Sequence, residues 1–272
     1  MRGTLEASTT IHKESLVSVQ STPHTASTAV AGIDLVGCVV ADFQKSLAFY
    51  RDTLGMAPSV VAEGGAEFHL PDGSTFGLWQ PPESEGMKPH FAVMFTVADA
   101  AGAVEHIRER GGSISDPFES QVCYMAIGKD SEGNGVIVHQ KKARDEHKPS
   151  SQARTLTTIH GIDIAGFFAS DPERAIAFYR DTLGLQPTYI TPGRGSEFEL
   201  ADGSSFGFWS MPNTPPGGFV MFAVDDARAK AAELRSRDMQ LTDVVETPNC
   251  FMAWGPDPEG NSIIIHQRKV HG

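Results

Sequence analysis

One heptapeptide occurs twice in this chain of 272 residues, and the repeat constrains the fold more than any other feature. The sequence FYRDTLG begins at Phe49 and again at Phe178, a shift of 178 − 49 = 129 residues. Each copy is preceded by an Ile-Asp pair. Each copy is also followed, in the same order, by an Asp-Gly-Ser sequence, a Trp, a Cys and a His-Gln pair. Solenoid repeats have periods of at most roughly 50 residues. The sequence therefore predicts two copies of one complete module.

Composition and pattern divide the chain into four segments. Residues 1–30 are rich in Ser and Thr without periodicity, which predicts a disordered tail. Residues 31–141 and 159–269 carry the two modules. Residues 142–158 are polar and charged and contain Pro149, so we expect them to be the linker.

Charge and cysteine usage exclude several classes of protein. A formal charge of −12 argues against nucleic acid as a partner, because phosphates would be repelled. No apolar run approaches a membrane span. Three cysteines, an odd number far apart in sequence, indicate a reducing compartment and predict a cytoplasmic protein. The expected partner is a small-molecule ligand or substrate, and the chain is expected to be a monomer or a homodimer.

Each module has the pattern of two βαβββ units. The heptapeptide forms the end of a short amphipathic helix, with Asp42 or Asp171 as N-cap and Gly55 or Gly184 closing it. In module 1 alternation predicts strands at 33–40, 59–62, 66–70, 75–80, 90–97, 121–127 and 136–140, with a second helix at 100–110. Module 2 repeats this order.

These motifs resemble those of the vicinal oxygen chelate superfamily. They are Ile-Asp on the first strand, Phe-Tyr…Leu-Gly on the first helix and Asp-x-Glu-Gly-Asn before the last strand. The superfamily includes glyoxalase I, extradiol dioxygenases, fosfomycin-inactivating transferases and the bleomycin- or mitomycin-binding resistance proteins. The resemblance covers both modules and implies an α+β fold. Its paired units wrap mixed β-sheets into cups that hold metal and substrate.

The resemblance also implies a divalent metal (Fe, Mn, Ni or Zn), held by His, Gln or Glu from the first, fourth, fifth and last strands. The corresponding residues are Leu35, Gly77, His90 and Ile137 in module 1, and Ile164, Gly207, Gly217 and Ile264 in module 2. Of these, His90 alone has a metal-binding side chain. We therefore predict no cofactor, while a shifted metal site built from His90, His139 and a carboxylate remains open.

Strand alternation indicates what the cups present instead. Residues two apart on a strand face the same way, so Trp79 and His139 share the inner wall with Leu35 and Ile137. The module 2 counterparts are Trp209, His266, Ile164 and Ile264. Such walls, with His90 at the first cup, predict binding of an aromatic or hydrophobic molecule. The alternative is that these side chains simply fill a core.

Two pairs of polar residues are candidates for proton transfer. His139 and His266 lie near the end of the last strand, where an imidazole can exchange protons near neutral pH. Glu67 and Glu197 occupy equivalent strand positions and could act as general acid or base. The alternatives are a histidine that only bonds within the sheet and a glutamate on a solvated strand face.

Three functions are compatible with these residues. The first is a resistance-type binder of a small metabolite, and the second is a metal-independent lyase or isomerase of secondary metabolism. The apolar pockets and the missing ligands favour the first, and the second would use His and Glu without metal. The alternative is a metal-dependent glyoxalase-like lyase or extradiol-type dioxygenase, which the missing ligands disfavour.

Overall fold

The structure is a computed structural model that describes residues 17–18, 30–81, 88–142, 154–212, 214 and 216–269. Module 1 contains β2 (Val30–Val39), α1 (Phe43–Ala48), β3 (Val60–Ala62), β4 (Gly65–His69), β5 (Thr75–Trp79), β6 (His90–Val97), α2 (Ala100–Glu109), β7 (Ser113–Ile114), β8 (Phe118–Glu119), β9 (Cys123–Lys129) and β10 (Gly135–Lys141). A short strand, β1 (Val17–Ser18), precedes them.

Module 2 repeats these elements without a counterpart of β7. They are β11 (Gly161–Phe168), α3 (Pro172–Ala177), β12 (Tyr189–Thr191), β13 (Gly195–Glu199), β14 (Ser205–Trp209), β15 (Gly217–Ala223), α4 (Ala227–Ser236), β16 (Val245–Glu246), β17 (Cys250–Pro256) and β18 (Ser262–Arg268). Strand β16 corresponds to β8. Each heptapeptide forms a single π-helical stretch, Phe49–Thr53 or Phe178–Thr182, that continues α1 or α3.

Each module forms one mixed sheet. The strand order is β3-β4-β5-β2-β6-β10-β9-β7 in module 1, with β8 also on β9, and β12-β13-β14-β11-β15-β18-β17-β16 in module 2. The first strands of the two units, β2 and β6, pair antiparallel, whereas β2 with β5 and β6 with β10 are parallel. The predicted α+β fold of four βαβββ units is confirmed.

The repeated helix packs into the core and also joins the two modules. Asp42 caps α1 by accepting from the backbone amide of Lys45 at 3.0 Å, and Gly55 ends the helical stretch with φ of 77°. The fully buried Tyr50 donates its hydroxyl hydrogen to Oδ2 of Asp257 in module 2 at 2.8 Å. Its counterpart Tyr179 makes the same bond to Asp130 in module 1.

Aromatic contacts extend this connection into one continuous core. Phe76 meets Phe222 with ring centroids 5.4 Å apart, and Phe91 meets Phe167 at 5.9 Å. Most buried apolar residues of both modules belong to one hydrophobic cluster behind the two sheets, while Ile164, Phe219 and Ile264 form a separate one. The modules therefore form one body, with a cup on the opposite face of each sheet.

The predicted tail and linker fall largely outside the described residues. Within the predicted tail, Val17–Ser18 is described and pairs antiparallel with Ile190 and Tyr189 of β12. Residues 143–153 of the predicted linker are not described, and the remaining residues lead from β10 and into β11. In the described part of the chain, no helix has the length and apolar character needed to cross a membrane.

Candidate functional site

A β-bulge shapes the floor of each cup. The register between β2 and β6 shifts between Ile33 and Leu35, so one strand carries an extra residue there. Strict alternation would put Asp34 and Leu35 on opposite faces. With the bulge, both side chains line the cup. The same shift occurs between Ile162 and Ile164 of β11 and affects Asp163.

The cup of module 1 contains a cavity of about 310 Å³. Its lining residues come from both βαβββ units: Asp34, Leu35, Glu67, Trp79, Met94, Ser120, Val122, Cys123, Met125, His139 and Lys141. About half of them are polar, so the cup is more polar than the sequence indicated. We name this space the module 1 cavity.

The charged end of the module 1 cavity is built around Asp34. Nδ1 of His139 lies 2.6 Å from Oδ2 of this carboxylate, and Nζ of Lys141 lies 2.5 Å from Oδ1. Burial by itself would raise the pKa of Asp34, but the hydrogen bonds from His139 and Lys141 outweigh it and hold the pKa below its usual value. Asp34 therefore orients the imidazole as a carboxylate does in general acid–base sites.

Two further polar groups line the same cavity. Sγ of Cys123 lies 3.0 Å from Oγ of Ser120, whose hydroxyl also accepts from the Cys123 amide at 3.0 Å. Across the cup, Oε2 of Glu67 lies 3.2 Å from Nε2 of His69. The cavity thus brings a thiol, an imidazole and two carboxylates around one small space.

Trp79 forms the apolar side of the module 1 cavity. Its indole lies over two facing glycines of β2 and β5: a Cβ on Gly77 would be 2.5 Å from Cζ2 of the ring, and one on Gly37 would be 2.8 Å from Cζ3. Glycines leave room for a flat ring to approach a strand. In the structure the flat ring that approaches them is the Trp79 indole itself.

In module 2, large side chains fill the corresponding space. Ile164, Phe219 and Ile264 are buried together, and they pack against Phe168, Trp209, Met221, Met252 and Trp254. Phe219 pairs with Gly166 in the sheet of module 2. In module 1 the equivalent pair is Ala92 and Gly37, so Phe219 replaces an alanine. The Phe219 ring covers Gly166, where a Cβ would be 3.1 Å from Cζ. We name this group the module 2 cluster.

The polar framework of module 2 nevertheless repeats that of module 1. Nδ1 of His266 and Nε of Arg268 contact the Asp163 carboxylate at 2.6 and 2.8 Å. Burial opposes charge on His266, but hydrogen bonds with Asp163 and with the Cys250 thiol raise its pKa to about 9. Burial likewise tends to raise the pKa of Cys250, yet the bonds from His266 and Thr247 leave that pKa below its usual value.

Glu197, the counterpart of Glu67, is also affected by its surroundings. Burial raises the pKa of its carboxyl, against the opposing charge of Arg268. The two predicted glutamates therefore occupy equivalent places in different environments, since Glu67 lines a cavity and Glu197 borders packed side chains.

The residues at the family's metal positions do not form a donor set. Leu35 and Ile137 lie at the floor of cup 1, opposite Met94 in the sheet register. His90 pairs with Val39 at the exposed outer end of β6, whereas His139 pairs with Thr96 at the other end. The structure therefore separates the two histidines of the shifted site. No group of three or more His, Cys, Asp or Glu suited to a metal occurs in the described ranges.

The predicted site residues thus separate into three environments. Leu35, Glu67, Trp79 and His139 line the module 1 cavity, with Ile137 buried beneath. Trp209, Ile164 and Ile264 belong to the module 2 cluster, with His266 and Glu197 beside it. His90 lies at the rim.

Asp34, Cys123 and Lys141 are polar members of the cup that were not among the residues predicted from the sequence. Asp34 was identified only as part of the Ile-Asp motif and Cys123 only as a recurring landmark, and Lys141 was assigned no role. A signal for them was available in the repeat, because Asp163, Cys250 and Arg268 recur at the equivalent positions. An acidic residue, a thiol and a cation retained in both copies indicate a shared polar cluster.

The chain resembles known proteins in sequence and in fold. Over 116 residues it is 32% identical to the anthracycline biosynthesis protein DauV of Streptomyces sp. (strain C5), a match that spans 41% of this chain and 42% of that protein. The Mn(II)-bound glyoxalase of Novosphingobium aromaticivorans superposes with a TM-score of 0.63 at 18% identity, covering 88% of this chain and 82% of the other. Homoprotocatechuate 2,3-dioxygenase of Arthrobacter globiformis gives 0.64 at 17% identity, covering 90% and 82%.

The two structural likenesses show the fold alone. The sequence model described as Glyoxalase/Bleomycin resistance protein/Dioxygenase superfamily matches residues 32–138 and 161–265, one match in each module. Both matches coincide with the two sheets. The chain belongs to the glyoxalase/bleomycin resistance protein/dioxygenase superfamily.

Proposed function

We propose that this protein binds a small aromatic molecule of secondary metabolism in the module 1 cavity. The observation that carries the proposal is the difference between the cups, since module 1 keeps a cavity of about 310 Å³ where the module 2 cluster is packed. Small-molecule sites are concave and measure about 300–1,000 Å³. The module 1 cavity is at the small end of this range, which favours a compact ligand.

The lining supports an aromatic ligand that carries oxygen substituents. Trp79, Leu35 and the methionines offer apolar and polarisable surface to a ring. Lys141 and His139 can donate to a carbonyl or phenolate oxygen, and Glu67 can accept from a hydroxyl. The likeness to DauV supports a place in the biosynthesis of aromatic natural products, or in protection against them.

The second candidate function is a metal-independent lyase or isomerase acting on the same ligand. The observation that favours it is the contact between Asp34 and His139 inside the cavity. A carboxylate that orients an imidazole can prepare it to move a proton, a contribution of about 10²–10⁴-fold to a rate. Metal-dependent glyoxalase-like or dioxygenase chemistry finds no support in the donor set at the family's metal positions.

Titration of purified protein with hydroxylated naphthoquinones and anthraquinones tests the proposal. We expect one ligand per chain by calorimetry, with an affinity that stays unchanged after treatment with a chelator. Two equal sites per chain, or loss of binding with the metal, would contradict it. His139→Gln separates the two candidates: a binder loses affinity in this variant, whereas an enzyme loses turnover while ligand still binds.

A further inference from the structure

The contacts around the Cys123 thiol are not needed for binding an aromatic ring. The thiol lies on the wall of the module 1 cavity and is held by the Ser120 hydroxyl, 3.0 Å away. Lys142 donates from Nζ to the Ser120 carbonyl at 2.6 Å and pairs with Glu119 at 2.5 Å, which fixes the segment that carries Ser120.

The strand register also places this thiol beside the oriented imidazole. His139 of β10 pairs with Met125 of β9, and Lys141 pairs with Cys123. Cys123 and His139 are therefore diagonal neighbours on one face, within reach of each other's side chains. The equivalent diagonal in module 2 is closed by a hydrogen bond between Cys250 and His266. The same backbone geometry thus brings thiol and imidazole together in module 2.

We propose that Cys123 is a covalent attachment site for electrophilic ligands of the module 1 cavity, namely α,β-unsaturated carbonyl compounds such as quinones. The proposal rests on the proposed function, because the ligand must first enter the cavity. It adds a covalent step and a named atom, Sγ, to reversible binding. The protein would then trap reactive aromatic ligands rather than only hold them.

The step balances without an added oxidant or reductant. His139 takes the thiol proton as Sγ forms a bond to the β-carbon of the ligand. The carbon–carbon π bond breaks, and its electron pair moves to the carbonyl oxygen as an enolate. The imidazolium then returns the proton to the α-carbon, and Asp34 stabilises its positive charge throughout. The product is a thioether, with His139 restored.

The other two cysteines lack this combination. Cys38 is fully buried in the core, where burial and the nearby Asp257 carboxylate raise the pKa of its thiol well above the usual value. Cys250 is hydrogen-bonded to His266 and is 8% exposed against 2% for Cys123, but its neighbour on the same strand face, Met252, belongs to the module 2 cluster, whereas Cys123 lines the module 1 cavity. Cys123 is the cysteine that meets both an oriented histidine and a cavity.

N-Phenylmaleimide and its saturated analogue N-phenylsuccinimide test the inference. The first has the electrophilic alkene and the second does not, while the shape is nearly the same. We expect brief treatment of the full chain with the maleimide to add one equivalent by intact mass. Peptide mapping of the wild-type protein should place it on Cys123. The Cys123→Ser variant should lose this adduct and the matched Cys250→Ser variant should keep it.

The role of His139 has its own readout. In His139→Gln we expect the adduct rate at pH 7 to fall at least tenfold. The remaining rate should depend on pH differently from that of the wild type, because no imidazole then takes the thiol proton. An adduct on Cys250 or Cys38 first, or a His139→Gln rate and pH profile equal to wild type, would overturn the inference. Reversible binding of N-phenylsuccinimide without a maleimide adduct would overturn it while leaving the proposed function intact; failure of both probes to bind would count against both.

Discussion

The two cups of this protein have nearly the same polar framework and very different interiors. Each has an Asp on a bulged strand, a His and a cation that contact it, and a Cys held by a hydroxyl. The apolar positions differ: Val39, Ala92 and Ile127 in module 1 are Phe168, Phe219 and Trp254 in module 2. At each of these three positions module 2 carries the larger side chain.

This difference indicates that the two modules took on different roles after the duplication. The polar framework connects the last strand to the bulge of the first, so it stabilises a sheet whether or not a ligand binds. The apolar lining, in contrast, determines whether there is space to bind anything. We infer that module 2 stabilises the body while module 1 carries the site.

The largest expected effect is on stability in module 2. Phe219 is fully buried and packs against Phe168 with ring centroids 5.1 Å apart. Truncation of such a ring leaves a cavity, so Phe219→Ala should lower the free energy of unfolding by about 3–5 kcal/mol. Denaturant unfolding measures the change.

A matched change in module 1 is the control. Ala92→Gly removes one methyl group at the equivalent position of β6 and should lower the free energy of unfolding by about 1 kcal/mol. A loss below about 1 kcal/mol in Phe219→Ala would show that the module 2 cluster does not stabilise the protein.

The second-largest expected effect is a dependence of the free energy of unfolding on pH, which comes from His266. Its pKa is 6.5 in an unfolded chain and about 9 in the folded protein, so the folded state holds the proton more tightly. The stabilisation is fully present below pH 6.5 and is lost as the pH rises through 9. The shift corresponds to about 3 kcal/mol in the free energy of unfolding.

Three titratable groups interact with His266 and affect the size of this pH dependence: Asp163, Cys250 and Glu197. The lowered pKa of Cys250 adds stability as pH rises, which makes about 3 kcal/mol an upper limit. Unfolding curves between pH 6 and 9 should therefore show a slope in the wild type that His266→Gln largely removes. Equal slopes in both would refute the assignment.

A third prediction concerns binding in module 1. In Ala92→Phe, the new ring would lie where Phe219 lies in module 2, over the glycine that the Trp79 indole now covers. The displaced indole must then enter the module 1 cavity. We expect the affinity for an aromatic ligand to fall at least thirtyfold, about 2 kcal/mol by calorimetry.

Phe219→Leu is the control for that experiment, because it changes the equivalent residue in the cup that we expect not to bind. Its ligand affinity should equal that of the wild type. If Ala92→Phe binds as tightly as the wild type while remaining folded, the ligand site lies outside the module 1 cavity.

The fold could be predicted well from the sequence because its determinants are local or repeated. The Asp42 cap, the closing Gly55 and the heptapeptide specify the first helix, and the duplication specifies everything a second time. The walls of the cups also followed from alternation, since Trp79 and His139 do face inward.

The contents of the cups were harder to predict for two physical reasons. A β-bulge breaks the period of two, so alternation placed Asp34 on the wrong face. The volume of a cup depends on side chains from several strands at once, including Ala92 or Phe219 and Ile127 or Trp254, which are distant in sequence. Alternation along single strands therefore made the two cups look equivalent.

The smallest effect separates the two tryptophans, which the sequence could not distinguish. Trp79 lines the cavity, whereas Trp209 packs within the module 2 cluster. Stacking on an aromatic ring contributes roughly 0.5–1.5 kcal/mol beyond burial of area, so Trp79→Leu should weaken ligand binding by about two- to tenfold. Trp209→Leu should leave the affinity unchanged and lower the unfolding midpoint instead, because it loosens a packed cluster. Calorimetry and denaturant unfolding of both variants measure the pair of effects. Equal losses of affinity in the two variants would mean that both cups bind ligand, and that the module 2 cluster opens to admit it.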